Sequence, residues 1–377
     1  MKLSCLQENL ARGLSIVSRA VSTRSTLPVL ANVLLATDEG RLKLSATNLE
    51  IVITCWVGAK IEEEGAITVP ARTISDLVNA LPQEQVQLQL NSETQTLHLA
   101  CARTEANIRG IDSQEFPLVP QDDDNPRVRL DPAEFKEMIA QVSFAAATDD
   151  ARPTLTGIYT HIAPDQIKMA STDGFRLSVR TMEIEEGVAD ERTLIIPARA
   201  LIELARVISD SDEYVDLILL QGRSQVIFEL ETVRLVSQLI EGHFPDFAAV
   251  VPESHRTRTV MNTAGFLKAC KTAGIFARES GNTARVRITQ ANELMPGNAV
   301  ISATSAETGD NVAQIDAVVD GEDIEMNFNV KFITDVLGVI STPQVALETT
   351  STVEPGVLKP VGKDDYVHII MPMQFGR

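Results

Sequence analysis

Val69-Pro70-Ala71-Arg72, Ile196-Pro197-Ala198-Arg199 and Val330-Lys331 are three versions of one signal, each opening an apolar helical stretch. They recur at intervals of about 127 and about 132 residues. Other landmarks keep the same interval. Ser45-Ala46-Thr47-Asn48 returns as Ala170-Ser171-Thr172-Asp173 and, more weakly, as Ser302-Ala303-Thr304-Ser305. Phe116-Pro117 returns as Phe244-Pro245, and Met371-Pro372 closes the third copy. A repeat of this length is a domain and not a solenoid unit. Three copies in one chain argue for a curved or ring-like assembly.

Working outward, 377 residues accommodate three domains of ordinary size, each able to bury its own core. The expected boundaries are 1–121, 128–252 and 256–377. Aromatic residues make up only 4%, so the cores must be aliphatic. No apolar run is long enough to cross a bilayer, and Met1-Lys2-Leu3-Ser4-Cys5 lacks the features of a secretory leader. The expected location is the cytoplasm. Cys5, Cys55, Cys101 and Cys270 sit singly in apolar-periodic segments, as small buried hydrophobes do in a reducing compartment.

Each third carries the same order of elements. An amphipathic helix comes first: Gln7 to Val21, then one after Asp131-Pro132, then one after Asn262. Alternating strands follow, such as residues 41–46 and 50–57. A second helix is predicted at Thr73 to Leu81, Ala198 to Ile208 and Val330 to Ile340, and further strands complete each copy. The fold class is α+β, with two helices packed on antiparallel sheets in each of three repeats. The joins are polar and contain proline. Asp122-Asp123-Asp124 in the first join reads as a solvated linker, with a metal site as the other possibility.

The net charge of −19 argues against a simple nucleic-acid binder. Its distribution argues otherwise. The six predicted helices, with flanks, hold 10 basic and 6 acidic residues, a net +4 that leaves −23 for the rest of the chain. One face attracts phosphate inside an acidic protein. Such a face would bind nucleic acid weakly, without sequence preference and with strong salt dependence.

Four further segments carry a family resemblance. They are Thr23-Arg24-Ser25-Thr26-Leu27-Pro28-Val29-Leu30, the run from Ala170 to Val179 containing Thr172-Asp173-Gly174-Phe175-Arg176-Leu177, Ile240-Glu241-Gly242-His243-Phe244-Pro245-Asp246, and Met371-Pro372-Met373. In this order, on a threefold repeat, the chain resembles the bacterial replicative sliding clamp, the beta subunit of DNA polymerase III. The resemblance implies the DNA clamp fold and a head-to-tail homodimer ring, with twelve helices facing inward. Helices about 10 Å wide would give a circle about 38 Å across and a hole of about 28 Å, enough for a duplex and a layer of water. It implies no catalysis and no cofactor or metal. The sequence has no phosphate-binding glycine loop, and His98, His161, His243, His255 and His368 lack ligand spacing. The implied partners are duplex DNA, a second copy of the chain, a clamp loader, the replicative polymerase and other proteins carrying a short hydrophobic peptide, on the bacterial nucleoid and not at a membrane.

The resemblance also implies site residues. DNA contacts fall on Arg24, Arg72 and Arg152, with Arg199 as the second-repeat equivalent of Arg72. The loop Asp149 to Thr154 lacks the tyrosines that follow the arginine in the familiar pattern, which removes a stacking contact. A partner-peptide pocket between the second and third domains would be lined by Leu155, Thr172, Gly174, Phe175, Arg176, Leu177, Pro245, Val250, Ile369, Met371, Pro372 and Met373. Methionines let such a groove repack around different ligands, although Met371 and Met373 also read as terminal-strand core. Ala248-Ala249 and Gln374 stand where some relatives carry basic residues, which weakens any preference for acidic flanks. Ile108, Ile275 and Phe276 would meet across the head-to-tail joint. Two other classes compete. An enzyme with Asp173 and Arg176 as acid and anion clamp is disfavoured, because the motif's copies lack those groups. An acidic repeat scaffold or peptide-binding hub that never encircles DNA remains the alternative.

Overall fold

In the computed structural model the described residues are 1–22, 27–119, 125–149, 151–185, 187–188, 190–220 and 224–373. The first repeat runs β1 (Lys2–Leu6), α1 (Gln7–Val17), β2 (Asn32–Asp38), β3 (Arg41–Thr47), β4 (Ile51–Val57), β5 (Lys60–Glu63), β6 (Ala66–Pro70), α2 (Ala71–Ala80), β7 (Gln85–Asn91), β8 (Thr96–Cys101) and β9 (Thr104–Arg109). The second runs β10 (Arg127–Leu130), α3 (Pro132–Ser143), β11 (Gly157–Ile162), β12 (Gln166–Thr172), β13 (Arg176–Glu183), β14 (Arg192–Pro197), α4 (Ala198–Val207), β15 (Val215–Leu219), β16 (Gln225–Glu229) and β17 (Val233–Gln238). The third runs β18 (Thr257–Asn262), α5 (Thr263–Ala277), β19 (Thr283–Thr289), β20 (Asn298–Ser305), β21 (Gly309–Asp320), β22 (Ile324–Asn329), α6 (Val330–Leu337), β23 (Gln344–Thr349), β24 (Gly356–Pro360) and β25 (Tyr366–Ile370). These are three α+β repeats. The long β21 does the work that β4 and β5 share in the first.

The strand order repeats as well. β2-β3-β4, β11-β12-β13 and β19-β20-β21 are antiparallel meanders, with β6, β14 and β22 closing on their first strands. β7-β8-β9, β15-β16-β17 and β23-β24-β25 form the other half-sheet of each copy. Sheets then run on from one repeat into the next. β4 pairs with β17, with Cys55 opposite Val233 and Ile51 opposite Ser237. β13 pairs with β25, with Arg176 opposite Ile370 and Arg180 opposite Tyr366.

The packing follows the sheets and cuts across the repeat. One compact unit holds Met1–Pro132 with Glu203–Leu239; the other holds Ala133–Ile202 with the residues from Ile240 onward. The central repeat is thus shared, because each of its half-sheets is continuous with a neighbour's.

Local chemistry explains where the helices begin. Asn262 caps α5 by accepting the Gly265 N–H at 2.8 Å, and Asn329 caps α6 through the Lys331 N–H. Pro132 opens α3 at a position where its missing N–H costs nothing. On α1, Leu10 and Leu14 are fully buried, each worth about 1.5–3 kcal/mol relative to exposure. Gly13 lets α1 approach its sheet, since a Cβ there would lie 2.7 Å from Val57 and 2.8 Å from Leu44. The first helix of each repeat packs as its apolar stripe demands, but α1 ends at Val17 and a short 3-10 turn, Ser18–Ala20, carries the chain onward. All four cysteines are buried, and burial pushes the Cys55 thiol up to about 11 and Cys5 to about 12.

A polar seam runs along the β13–β25 pairing. Ser178, Arg180, Tyr366 and His368 are all buried there. His368 Nδ1 lies 2.6 Å from Ser178 Oγ, which lies 3.3 Å from the Tyr366 hydroxyl, and Tyr366 donates to the Gln141 carbonyl at 3.0 Å. Protons assigned in that direction satisfy the donors of His368, Ser178 and Tyr366 and leave His368 Nε2 a bare lone pair. Arg180 pairs with Asp365 and, at 3.4 Å, with Glu134.

Burial, helped by the nearby Arg176 charge, pushes the His368 imidazole down to about 3. In the unfolded chain it takes a proton near pH 6.5, while the folded chain refuses one until about pH 3, so stability falls as pH drops through this window. Lowering pH from 7 to 5 should cost on the order of 2 kcal/mol through this group. His368→Asn keeps a partner for Ser178 and removes the titration. Urea unfolding of both proteins at pH 7 and pH 5 should show the smaller loss in the variant; equal losses would refute the assignment.

Candidate functional site

Within the second compact unit, the turn between β12 and β13 is built by its own side chains. Asp173 Oδ1 accepts the N–H groups of Phe175 and Arg176 at 2.9 and 3.1 Å. Thr172 Oγ1 accepts from the Gly174 N–H at 3.0 Å and donates to the Arg176 carbonyl at 2.6 Å. Gly174 sits at φ 91°, a left-handed conformation that suits glycine, and a Cβ there would come within 3.0 Å of Arg152 Nη1. The chain leaving β25 ties onto this turn where the Met371 N–H donates to the Phe175 carbonyl at 2.9 Å.

The result is an apolar surface on the β13–β25 join. Leu177 and Ile369 face each other across the register and are buried with Val179 and Val357, while Tyr159, Phe247 and Val251 pack over them. Leu155 is buried, and the methyl of its neighbour Thr154 comes within 2.8 Å of where a Cβ on Gly242 would lie. Phe175 is 62% exposed, Val250 42% and Met371 40%, and Pro245 is exposed, so large apolar side chains stand in water around a buried apolar floor. Tyr159, Phe244 and Phe247 form an aromatic triangle with ring centroids 5.3 to 6.2 Å apart.

Two residues sit differently from their neighbours. The Arg176 guanidinium is consumed: it donates to Asp173 at 3.0 Å, to Asp335 at 2.7 Å and to the Phe144 carbonyl at 2.7 Å, between the rings of Phe144 and Phe332. It braces the turn against α3 and α6. Met373 turns toward its own domain, its N–H on the Asn327 carbonyl and its sulfur 3.3 Å from Thr283 Oγ1. Pro372, between Met371 and Met373, is half-buried. Sequence reasoning missed Tyr159, Phe247, Val251 and Val357. The i, i+3 spacing of Phe244 and Phe247 was the available signal for the aromatic cover.

The cations fall as follows. Arg72 and Arg199 occupy the second position of α2 and α4, and Lys331 that of α6; all three are exposed. Arg72 makes an i,i+4 ion pair with Asp76 at 3.6 Å. Arg152 is held by the Asp173 carbonyl at 2.9 Å and Asp149 at 3.1 Å, and that pairing draws the exposed Asp149 carboxyl below its usual range. Arg24 lies outside the described residues, as do Asp122, Asp123, Asp124 and Gln374. With observed helix bounds the cationic excess shrinks, since Arg19 and Arg278 fall in 3-10 turns.

Ile275 is exposed on α5 and Phe276 is half-buried against its own core. Ile108 is buried, paired with Leu97 across β8–β9, and its side chain points into its own domain. Among the described residues no group of three or more His, Cys, Asp or Glu could hold a metal ion, and no helix is long and apolar enough to cross a membrane.

Against known proteins, the DNA polymerase III beta subunit family matches in three consecutive parts: its N-terminal domain at residues 1–120, its central domain at 129–246 and its C-terminal domain at 248–374. The beta sliding clamp of Staphylococcus epidermidis is 31% identical over 365 residues, covering 94% of each chain. The DNA polymerase sliding clamp of Bacillus subtilis superposes with a TM-score of 0.92 at 26% identity over 100% of both chains. The DnaN sliding clamp of Pseudomonas aeruginosa bound to griselimycin gives 0.91 at 27%, again over 100% of both. The chain therefore belongs to the bacterial DNA polymerase III beta subunit family, the beta sliding clamps, which are non-catalytic processivity factors.

Proposed function

We propose that two copies of this chain close head to tail into a ring around duplex DNA. The observation that carries this reading is an unfinished pattern of strand pairing. β4 joins β17 and β13 joins β25, always the third strand of one meander to the last strand of the next repeat. By that rule the partner of β21 in the third repeat is β9 of the first. β9 pairs only with β8, and Gly309–Asp316 of β21 pairs only with β20, among the described residues. Two such open edges on one chain are complementary to those on a second copy, and joining them removes both hazards. Backbone bonds, and the exposed Ile275 on the helix behind β21, would hold the joint. Ile108, being buried, would support β9 from behind.

In the closed ring the helix faces line the hole and the cations at the head of α2, α4 and α6 meet phosphate. The contacts are few and carry no base information, so the duplex would be held by topology while the ring slides. The apolar surface around Leu177, Ile369, Phe175 and Met371 would take short peptides with leucine or phenylalanine anchors from the polymerase, the clamp loader and other DNA-processing proteins in the bacterial cytoplasm. One shared groove makes those partners exclusive.

Three outcomes follow. Ile275→Asp changes an exposed residue, so the chain should fold yet sediment near 41 kDa instead of twice that mass; an intact dimer would remove α5 from the joint. Arg72→Ala with Arg199→Ala should lower the slope of log affinity against log salt by about 0.9 per lost phosphate contact on duplex DNA. Arg152 is unsuitable for that test because it also braces the turn at Asp173. An unchanged slope would take these residues off the DNA face. Phe175→Ala with Met371→Ala should weaken binding of a leucine- and phenylalanine-bearing peptide at least tenfold while the dimer persists; native affinity would move the docking site elsewhere. Retention on circular but not linear duplex separates the ring from a scaffold.

A further inference from the structure

The turn that builds the peptide surface occurs a second time, bond for bond, in the first compact unit. Asn48 Oδ1 accepts the N–H groups of Glu50 and Ile51 at 3.0 and 2.9 Å, as Asp173 does for Phe175 and Arg176. Thr47 Oγ1 accepts from Leu49 N–H at 3.0 Å and donates to the Ile51 carbonyl at 2.9 Å, as Thr172 does with Gly174 and Arg176. The Gln238 N–H donates to the Glu50 carbonyl at 2.9 Å, as Met371 does to Phe175. The flanking 3-10 turns also match. Leu30 N–H reaches Leu27 O at 3.1 Å and Ser22 N–H reaches Leu30 O at 3.0 Å; their counterparts are Leu155 to Arg152 and Ala147 to Leu155, both at 2.9 Å.

What decorates this second frame is apolar and exposed. Leu27 is 51% exposed, Leu49 52% and Leu118 98%; Leu27 and Leu118 each lie two residues along the chain from a member of the buried cluster of Val29, Leu30 and Phe116. Leu49 occupies the place of Gly174 and shares its left-handed backbone, at φ 76°. Glycine or asparagine would relieve that strain, which costs a leucine roughly 1–2 kcal/mol. A leucine that is both strained and half in water carries two penalties, and outliers of this kind point to binding. Charge sets this frame apart from its counterpart. The exposed Glu50 stands where Phe175 does, and Gln238 where Met371 does.

We propose that the β4–β17 join carries a second peptide-docking surface, centred on Leu49 with Leu27 and Leu118. Its occupant is a short extended peptide with two aliphatic anchors and a basic flank that meets Glu50. The idea rests on the peptide reading of the β13–β25 surface, whose frame it duplicates. The dimer would then offer four docking positions of two chemistries, so that a partner held at one join need not displace a partner at the other.

The test uses the full chain with leucine methyl groups labelled for NMR, titrated with acetyl-Lys-Leu-Ser-Leu-Lys-amide. Shifts of Leu49 and Leu118 methyl groups that saturate with peptide are expected. Leu49→Asn with Leu118→Ser, at exposed sites where asparagine also suits the backbone, should weaken that binding more than tenfold. Replacing both lysines of the probe by glutamates should weaken it as well. Shifts at Leu177 without any at Leu49 and Leu118 would leave the β13–β25 reading standing and overturn this one. Shifts at Leu49 and Leu118 without any at Leu177 would do the reverse. Shifts of the same leucines that depend on protein concentration without peptide would assign the patch to contact between copies and also overturn the proposal.

Discussion

Backbone pairing between successive repeats is the constraint on which the rest of this structure depends. An edge strand presents unpaired N–H and C=O groups that must find partners or stay in water. Here β4 finds β17 and β13 finds β25, so the sheets run across repeat boundaries and the central repeat is divided between two compact units. The candidate peptide surface sits on the second of those joins. The turn at Thr172–Arg176 is where β13 begins, and the strand it meets, β25, delivers Met371 to its carbonyl.

The β13–β25 join is secured by polar groups as well as by its ladder. Ser178, Tyr366 and His368 form a buried relay, and Arg176 gathers two carboxylates, one carbonyl and two aromatic rings around one guanidinium. Such clusters are costly when half-satisfied and specifying when complete. They bring α3, β13, β25 and α6 to one place in one register. The apolar floor beside them can therefore be exposed at its rim without the join loosening. The corresponding turn in the first unit has Ile51 in place of Arg176, so the same backbone frame is used there without the charged brace.

Much of this was legible in the chain. Helix starts were readable because their chemistry is local: proline at the head of α3, asparagine caps on α5 and α6. Helix ends were less so. The predicted run to Val21 stops at Val17, since apolar residues continue inward through a 3-10 turn that periodicity alone does not distinguish. The resemblance places Ile108 at a joint between copies; within one chain the structure buries its side chain, as the pattern along β9 shows. The resemblance makes Arg176 a lining residue of the peptide pocket; its role as a brace is not legible in the chain, because its partners Asp335 and Phe144 are remote in sequence.

By itself the sequence determined the threefold repeat, the α+β class, the helix starts and the motifs that mark the family, because each is written in local side-chain chemistry or in spacing. Only the tertiary structure decided which strands meet, that the central repeat belongs to two packing units, and that, among the described residues, β9 and Gly309–Asp316 of β21 each keep an open edge. The physical reason is that strand pairing is made by backbone groups, which are the same in every residue and carry no name for their partner. For the same reason the duplicate of the Asp173 turn at Asn48 was visible in sequence only as a faint echo, Thr47-Asn48 against Thr172-Asp173, until the hydrogen bonds of both were in view.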